Sequence, residues 1–188
     1  MKSKRGYVFD TTCLNYFALT DSLYLIKDHL GTDCFIPREV RQEIINGINE
    51  YPSLEPKLKA VLDAEWLQEL IIDDIDDLRL FANLRRRWGQ ADRNYGEAAA
   101  LVLAKRYELV AVIDDPVGRK ASRSLDVICI GTVGLLAMLA ALDKIDEEDA
   151  WRLHSQMTNL TTGPYRSPIK SKFDFSQLVK DVARKMHL

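Results

Sequence analysis

A chain of 188 residues, 47% hydrophobic and 29% charged, is long enough for one domain with a substantial core and has an ordinary globular composition. No apolar run approaches the roughly 20 residues of a membrane span, and the basic start MKSKRGYVFD meets an acid before any apolar region develops, so neither a span nor a secretory signal is expected. The net charge of −2 gives no general pull toward nucleic acid, and three isolated cysteines with three scattered histidines exclude zinc-finger spacing, leaving buried reduced thiols in a cytoplasmic protein as the expectation.

Tyr7-Val8-Phe9 reads as a first strand with Asp10-Thr11-Thr12 at its carboxyl end, where either threonine can cap a helix striped by Leu14, Phe17 and Ala18. A second helix over about 21–30 stops at Gly31, and Cys34–Ile36 is the next strand. Pro37 suits the first turn of the helix PREVRQEIING, in which Val40 and Glu43 share a face and Gly47 is a plausible stop. Residues 51–56 read as a loop, 57–64 as a short helix, 67–72 as a strand, and the acidic run 73–77 as the N-terminal end of another helix. Gly89 to Asn94 is expected to be a mobile turn.

The most informative stretch follows. Residues 96–107 are strong helix formers in which Glu97, Leu101 and Ala104 share a face. VAVI at 110–113 suits a strand covered on both faces and ends at Asp114-Asp115. PVGRKASRS reads as a helix, VICI at 127–130 as another buried strand, and Gly131-Thr132 opens an apolar helix. This rhythm means βαβ units in a parallel sheet, whose ligands bind beyond the carboxyl ends of the strands. After Leu142 come a helix over 146–158, an irregular basic linker at 161–173, and a last helix over about 174–186. There is no internal repeat.

Four acids fall where such a fold can gather them: Asp10, Glu43, Glu97 and Asp115. Each has a plainer reading alone. Asp10 and Asp115 can be helix caps, Glu43 an exposed helix residue, and Glu97 the partner of Asn94 in a capping box. Together they repel, by roughly 4 kcal/mol for a pair at about 4 Å and an effective dielectric of 20. Such a cluster persists where cations neutralise it, and an all-oxygen set without Cys or His selects Mg2+ or Mn2+. Metal-dependent phosphodiester hydrolysis is the sharpest chemistry these residue types support. Charge is also uneven: residues 163–188 carry six Lys/Arg against two Asp, leaving −6 on 1–162. Basic clusters at 85–87, at Arg119-Lys120 with Arg123, and across Arg166, Lys170 and Lys172 are solvated faces on the plain reading; near an acidic pocket they would suit a polyanion.

The ordered segments VFDTTCLNYFALT, FIPREVRQEI, GEAAALVLAKRYELVAVIDDPVGRKA and VICIGTVGLLAMLAALDKI resemble the PIN-domain ribonucleases, the family that includes the VapC toxins. The resemblance covers roughly residues 6–145 and is closest to one subgroup of PIN proteins with GEA and GT-G blocks. It implies an α/β three-layer fold, a central parallel β-sheet flanked by α-helices, with a pocket for Mg2+ or Mn2+ and single-stranded RNA as substrate. It makes Asp10, Glu43, Glu97 and Asp115 the catalytic, metal-binding acids, with Asp114 able to share the role of Asp115. It also sets Thr12 near the metal-bound water or phosphate, with Arg119 and Lys120 as substrate-binding groups. The chain departs from many relatives at Ile113, where they have Ser or Thr, and at Glu97, where they often have Asp.

On this reading residues 1–145 form the nuclease domain and 146–188 a helical extension with a basic linker. The expected partners are RNA, a small antitoxin whose C-terminal segment covers the pocket, and a second copy of the chain, for which the apolar helix 133–142 is a candidate surface, although a core helix is the commoner explanation. A phosphatase of the haloacid dehalogenase type would need an Asp where Thr12 stands, and a response regulator would carry its acid pair after the first strand. The serious rival is a PIN-like module that binds nucleic acid or protein with catalysis lost.

Overall fold

The computed structural model describes residues 6–88, 94–160 and 167–186, and the chain divides into two compact units, residues 1–130 and 131–188. The expected turn at Gly89–Asn94 lies outside the described residues except for Asn94, and so does the 161–166 part of the linker, with Arg166.

The first unit runs β1 (Tyr7–Phe9), α1 (Thr11–Leu19), α2 (Leu23–Leu30), β2 (Cys34–Pro37), α3 (Arg38–Glu50), a 3-10 turn (Pro52–Leu54), α4 (Glu55–Leu62), β3 (Leu67–Leu70), α5 (Ile75–Trp88), α6 (Tyr95–Tyr107), β4 (Val110–Val112), α7 (Pro116–Ser124) and β5 (Cys129–Ile130). The strands form one parallel sheet in the order β3-β2-β1-β4-β5. The architecture is therefore the expected three-layer α/β one. The chain builds outward from β1 through β2 to β3, then returns to add β4 on the other side. The reversal between β1 and β4 is a topological switch point, where neighbouring connections diverge and leave a crevice at the carboxyl ends of the strands.

Helix α6 fills the centre of this unit. Residues 98–104 are all buried, and the helix packs against β1, β2 and β4 as well as α3, α5 and α7. It is apolar nearly all round rather than amphipathic, because it has neighbours on most sides. Ala98, Ala99 and Ala100 keep its first turns thin enough for that. Val8, Leu101, Leu103, Ala111 and Ile113 belong to the core it organises.

Local expectations shifted at several points. The VICI strand is shorter and less buried than expected: β5 is only Cys129–Ile130, both half-buried, and Ile128 is exposed. Residues 51–56 are not all loop, since the 3-10 turn and the start of α4 fall within them. Helix α3 runs through Gly47 to Glu50, since a glycine costs only about 1 kcal/mol in a helix interior and nothing here ends the turn. Pro37 closes β2 in an extended conformation and stands before α3 rather than in its first turn.

The second unit contains α8 (Thr132–Ala141), α9 (Glu147–Thr158) and α10 (Lys172–Met186), with α8 packed against both others. Buried His154 shares a hydrogen bond with the buried Ser167 hydroxyl at 2.7 Å, which also accepts the Ile169 N–H. Trp151 and Phe175 stack near the imidazole, with ring centroids 5.2 and 6.1 Å from its own. Burial, helped by Lys170, lowers the His154 pKa to about 4. No helix among the described residues is long and apolar enough to cross a membrane.

Candidate acidic active site

The site begins where β1 ends. Asp10 itself, rather than Thr11 or Thr12, is the cap of α1: its Oδ1 accepts the Cys13 N–H at 3.0 Å. The backbone N–H of Asp10 donates to the Val112 carbonyl at 3.1 Å, joining it to the end of β4. The residue is only 1% exposed, and its Oδ2 is buried with no hydrogen-bond partner. Burial raises the Asp10 pKa well above the usual carboxylate range, and the nearby Glu97 and Asp114 carboxylates push it further. The N–H groups of Cys13 and Thr12 oppose this without reversing it. A buried acid with one unsatisfied oxygen facing other acids is costly unless a proton or a cation is supplied.

Glu97, in the first turn of α6, is mostly buried, and its carboxyl is pushed up to about 7 by that burial and then by Glu43 and Asp115. The capping box with Asn94 does not form. Asn94 adopts a left-handed conformation and its side chain caps nothing. The early N–H groups of α6 find an acceptor elsewhere: Gly96 N–H donates to Glu43 Oε1 at 2.9 Å, so an acid from α3 serves as the cap. The other oxygen of Glu43 accepts the Thr11 hydroxyl. The approach demands glycine at 96, where a Cβ would lie 2.7 Å from Glu43 Oε2 and 2.9 Å from Val40 Cγ2.

Asp115 caps α7, its Oδ1 accepting the N–H groups of Val117 at 2.7 Å and Gly118 at 3.1 Å. Gly118 lets α7 close on the end of β4: a Cβ there would stand 2.9 Å from Ile113 Cγ2 and 3.7 Å from Glu97 Cβ. Arg119 and Lys120 are exposed on the same helix, about one turn beyond Asp115.

The five sequence-identified acids thus act on one another in overlapping pairs, Asp10 with Glu97 and Asp114, Glu97 with Glu43 and Asp115. Among the described residues, no three His, Cys, Asp or Glu side chains gather into a preformed metal cage. Glu43 and Asp115 direct oxygens at protein donors instead. The chemistry of the donor set nevertheless fits a hard cation, being all oxygen, anionic and provided with the orphaned Asp10 Oδ2.

Thr12 contributes its backbone N–H to Asp10. Sequence reasoning missed Tyr16, which is buried on α1 and whose hydroxyl pKa is pushed up to about 12 by burial and by Asp114 and Asp10. Its position three residues after Cys13 and one before Phe17, on the inner face of α1, was the available signal. It also missed what Thr11, Gly96 and Gly118 do, since these act through contacts between elements far apart in sequence.

A family model described as a PIN domain matches residues 6–166, a span that contains all five acids and the whole sheet. No curated protein and no solved structure matches the chain. The order of the strands, the switch point between β1 and β4 and the family match agree, and the chain belongs to the PIN-domain family.

Proposed function

We propose that this protein is a Mg2+- or Mn2+-dependent endoribonuclease that hydrolyses single-stranded or structured RNA. Nuclease chemistry in general comes with the family; metal and substrate are our reading. The observation that carries it is Asp10, a buried carboxylate at the switch point with an unpartnered oxygen and the Glu97 and Asp114 charges beside it. Asp10, Glu97 and Asp114 would hold the cation, with Glu43 and Asp115 completing the acidic surround. A divalent ion held there activates water and stabilises charge on a phosphodiester.

The chain's own residues have separable tasks. Asp10 lies deep enough that water is largely excluded from it, and Glu97 is half-buried, which strengthens their pull on a cation. Glu97, with its carboxyl near neutrality, can also exchange a proton in the working pH range. Exposed Arg119 and Lys120 would meet substrate phosphates beside Asp115. We extend the proposal to a cytoplasmic toxin restrained by a small antitoxin, acting as a homodimer, with 1–145 as its nuclease domain and 146–188 as a helical extension.

A second reading is a PIN module that binds nucleic acid or protein without cleaving, and one observation favours it: the acids do not stand in a preformed cage among the described residues. Incubating labelled single-stranded RNA, and DNA of the same sequence, with the protein in Mn2+, Mg2+ or EDTA separates the two. The nuclease cleaves RNA in metal and not in EDTA. The binding module retains RNA affinity in EDTA and cleaves nothing.

A further inference from the structure

Glu43 is held by two donors, and each is the chain neighbour of another site acid. Thr11, whose hydroxyl binds Glu43 Oε2, follows Asp10; Gly96, whose N–H binds Oε1 at 2.9 Å, precedes Glu97. The start of α1 and the start of α6 are therefore both tied to one carboxylate from α3. A carboxylate offers about four lone-pair sites, so two such bonds still leave each oxygen able to accept once more. The contact is tight on all sides, because a Cβ at position 96 would meet Glu43 Oε2 at 2.7 Å and Thr11 Oγ1 at 3.1 Å. Helix α1 and helix α6 otherwise reach the site from separate places: α1 leaves β1 directly, while α6 follows α5.

We propose that Thr11 is a positioning residue: its hydroxyl, together with the Gly96 N–H, clamps the Glu43 carboxylate and through it fixes the separation of Asp10 from Glu97. This rests on the reading of the acids as a metal site. The hydroxyl does not act on substrate. Without it Glu43 would be fixed at one oxygen only and free to rotate about its last bond, and the two flanking acids would lose their common anchor.

Thr11→Val keeps the shape and removes the hydroxyl, whereas Thr11→Ser keeps the hydroxyl and loses a methyl. Two readouts on the full chain test the clamp. In metal-free protein, the Gly96 backbone amide signal in a 15N–1H correlation spectrum should move in Thr11→Val and return toward the wild-type position in Thr11→Ser. By calorimetry, Mn2+ affinity should fall about 10- to 100-fold in Thr11→Val, the usual range for loss of an outer-shell group around a metal site, and recover in Thr11→Ser. Asp10→Asn is the control. If Asp10→Asn abolishes Mn2+ binding while Thr11→Val binds as wild type, the positioning role is overturned and the metal site stands. If Asp10→Asn binds Mn2+ as wild type does, or wild type takes up none, the metal reading fails and the positioning role with it. An unmoved Gly96 signal in Thr11→Val overturns the clamp in either case.

Discussion

The Asp10 N–H donates to the Val112 carbonyl at 3.1 Å, so the acid that ends β1 is anchored beside the strand whose exit carries Asp114 and Asp115. Because β1 and β4 are adjacent, two acidic segments separated by a hundred residues of chain leave the sheet side by side. Their mutual repulsion is built into the fold, and several consequences can be measured.

The first concerns pH. Glu97 ordinarily titrates near 4.5 and here is pushed up to about 7, so the folded protein holds its proton after the unfolded chain has lost it. Folding is then disfavoured progressively as pH rises from about 4.5 to 7, and the penalty is constant above that. Glu97→Gln removes the penalty. In protein without divalent cation, its melting temperature should exceed that of wild type by a margin that grows across this window and levels off above it. A margin independent of pH would contradict the assignment.

On the proposed metal site, a bound cation should reverse the sign. Mn2+ at one hundred times its dissociation constant should stabilise the fold by about 2.7 kcal/mol, which shifts a chain of this size upward by several degrees. Asp10→Asn should melt at the same temperature with and without Mn2+. Thermal unfolding followed by circular dichroism checks both.

Gly118 sets how closely α7 meets β4. Gly118→Ala adds a carbon 2.9 Å from Ile113 Cγ2 and should destabilise by about 1–3 kcal/mol through overpacking. Urea unfolding gives the number; an unchanged midpoint would mean that α7 shifts without strain.

In the second unit the pH dependence has the opposite sense. His154 is kept neutral to about 4, against 6.5 ordinarily, so the unfolded chain takes up a proton first as pH falls. Its contribution to stability is whole above 6.5 and lost between 6.5 and about 4. Ser167→Ala leaves a buried imidazole nitrogen without that hydroxyl and should cost about 1–3 kcal/mol. Fluorescence of Trp151, stacked on the imidazole, reports the change locally if the other two tryptophans are replaced by Phe.

Much of the sheet was legible because its strands are short, apolar and punctuated. VAVI followed by two acids can hardly be anything but a buried strand leaving the core, and the alternation of strands with helices implied parallel pairing. Legible too were the five acids, since carboxylates at strand ends and on apolar helix faces are conspicuous. What the sequence hid was how their oxygens are used. Asn94 and Glu97 have capping-box spacing, yet the α6 N-terminus takes its acceptor from Glu43, more than fifty residues away. Nor does local pattern distinguish Thr11 from Thr12 when the difference is which one meets α3. Gly47 reads as a stop because glycine usually ends helices, but nothing in its own neighbourhood required α3 to stop there.

The most direct test of the account compares wild type with Asp10→Asn in Mn2+-dependent cleavage of labelled single-stranded RNA, both shown folded by circular dichroism. Wild type should cleave, EDTA should abolish that cleavage, and Asp10→Asn should lack it. Equal cleavage by the two proteins, or wild-type cleavage that persists in EDTA, would contradict it.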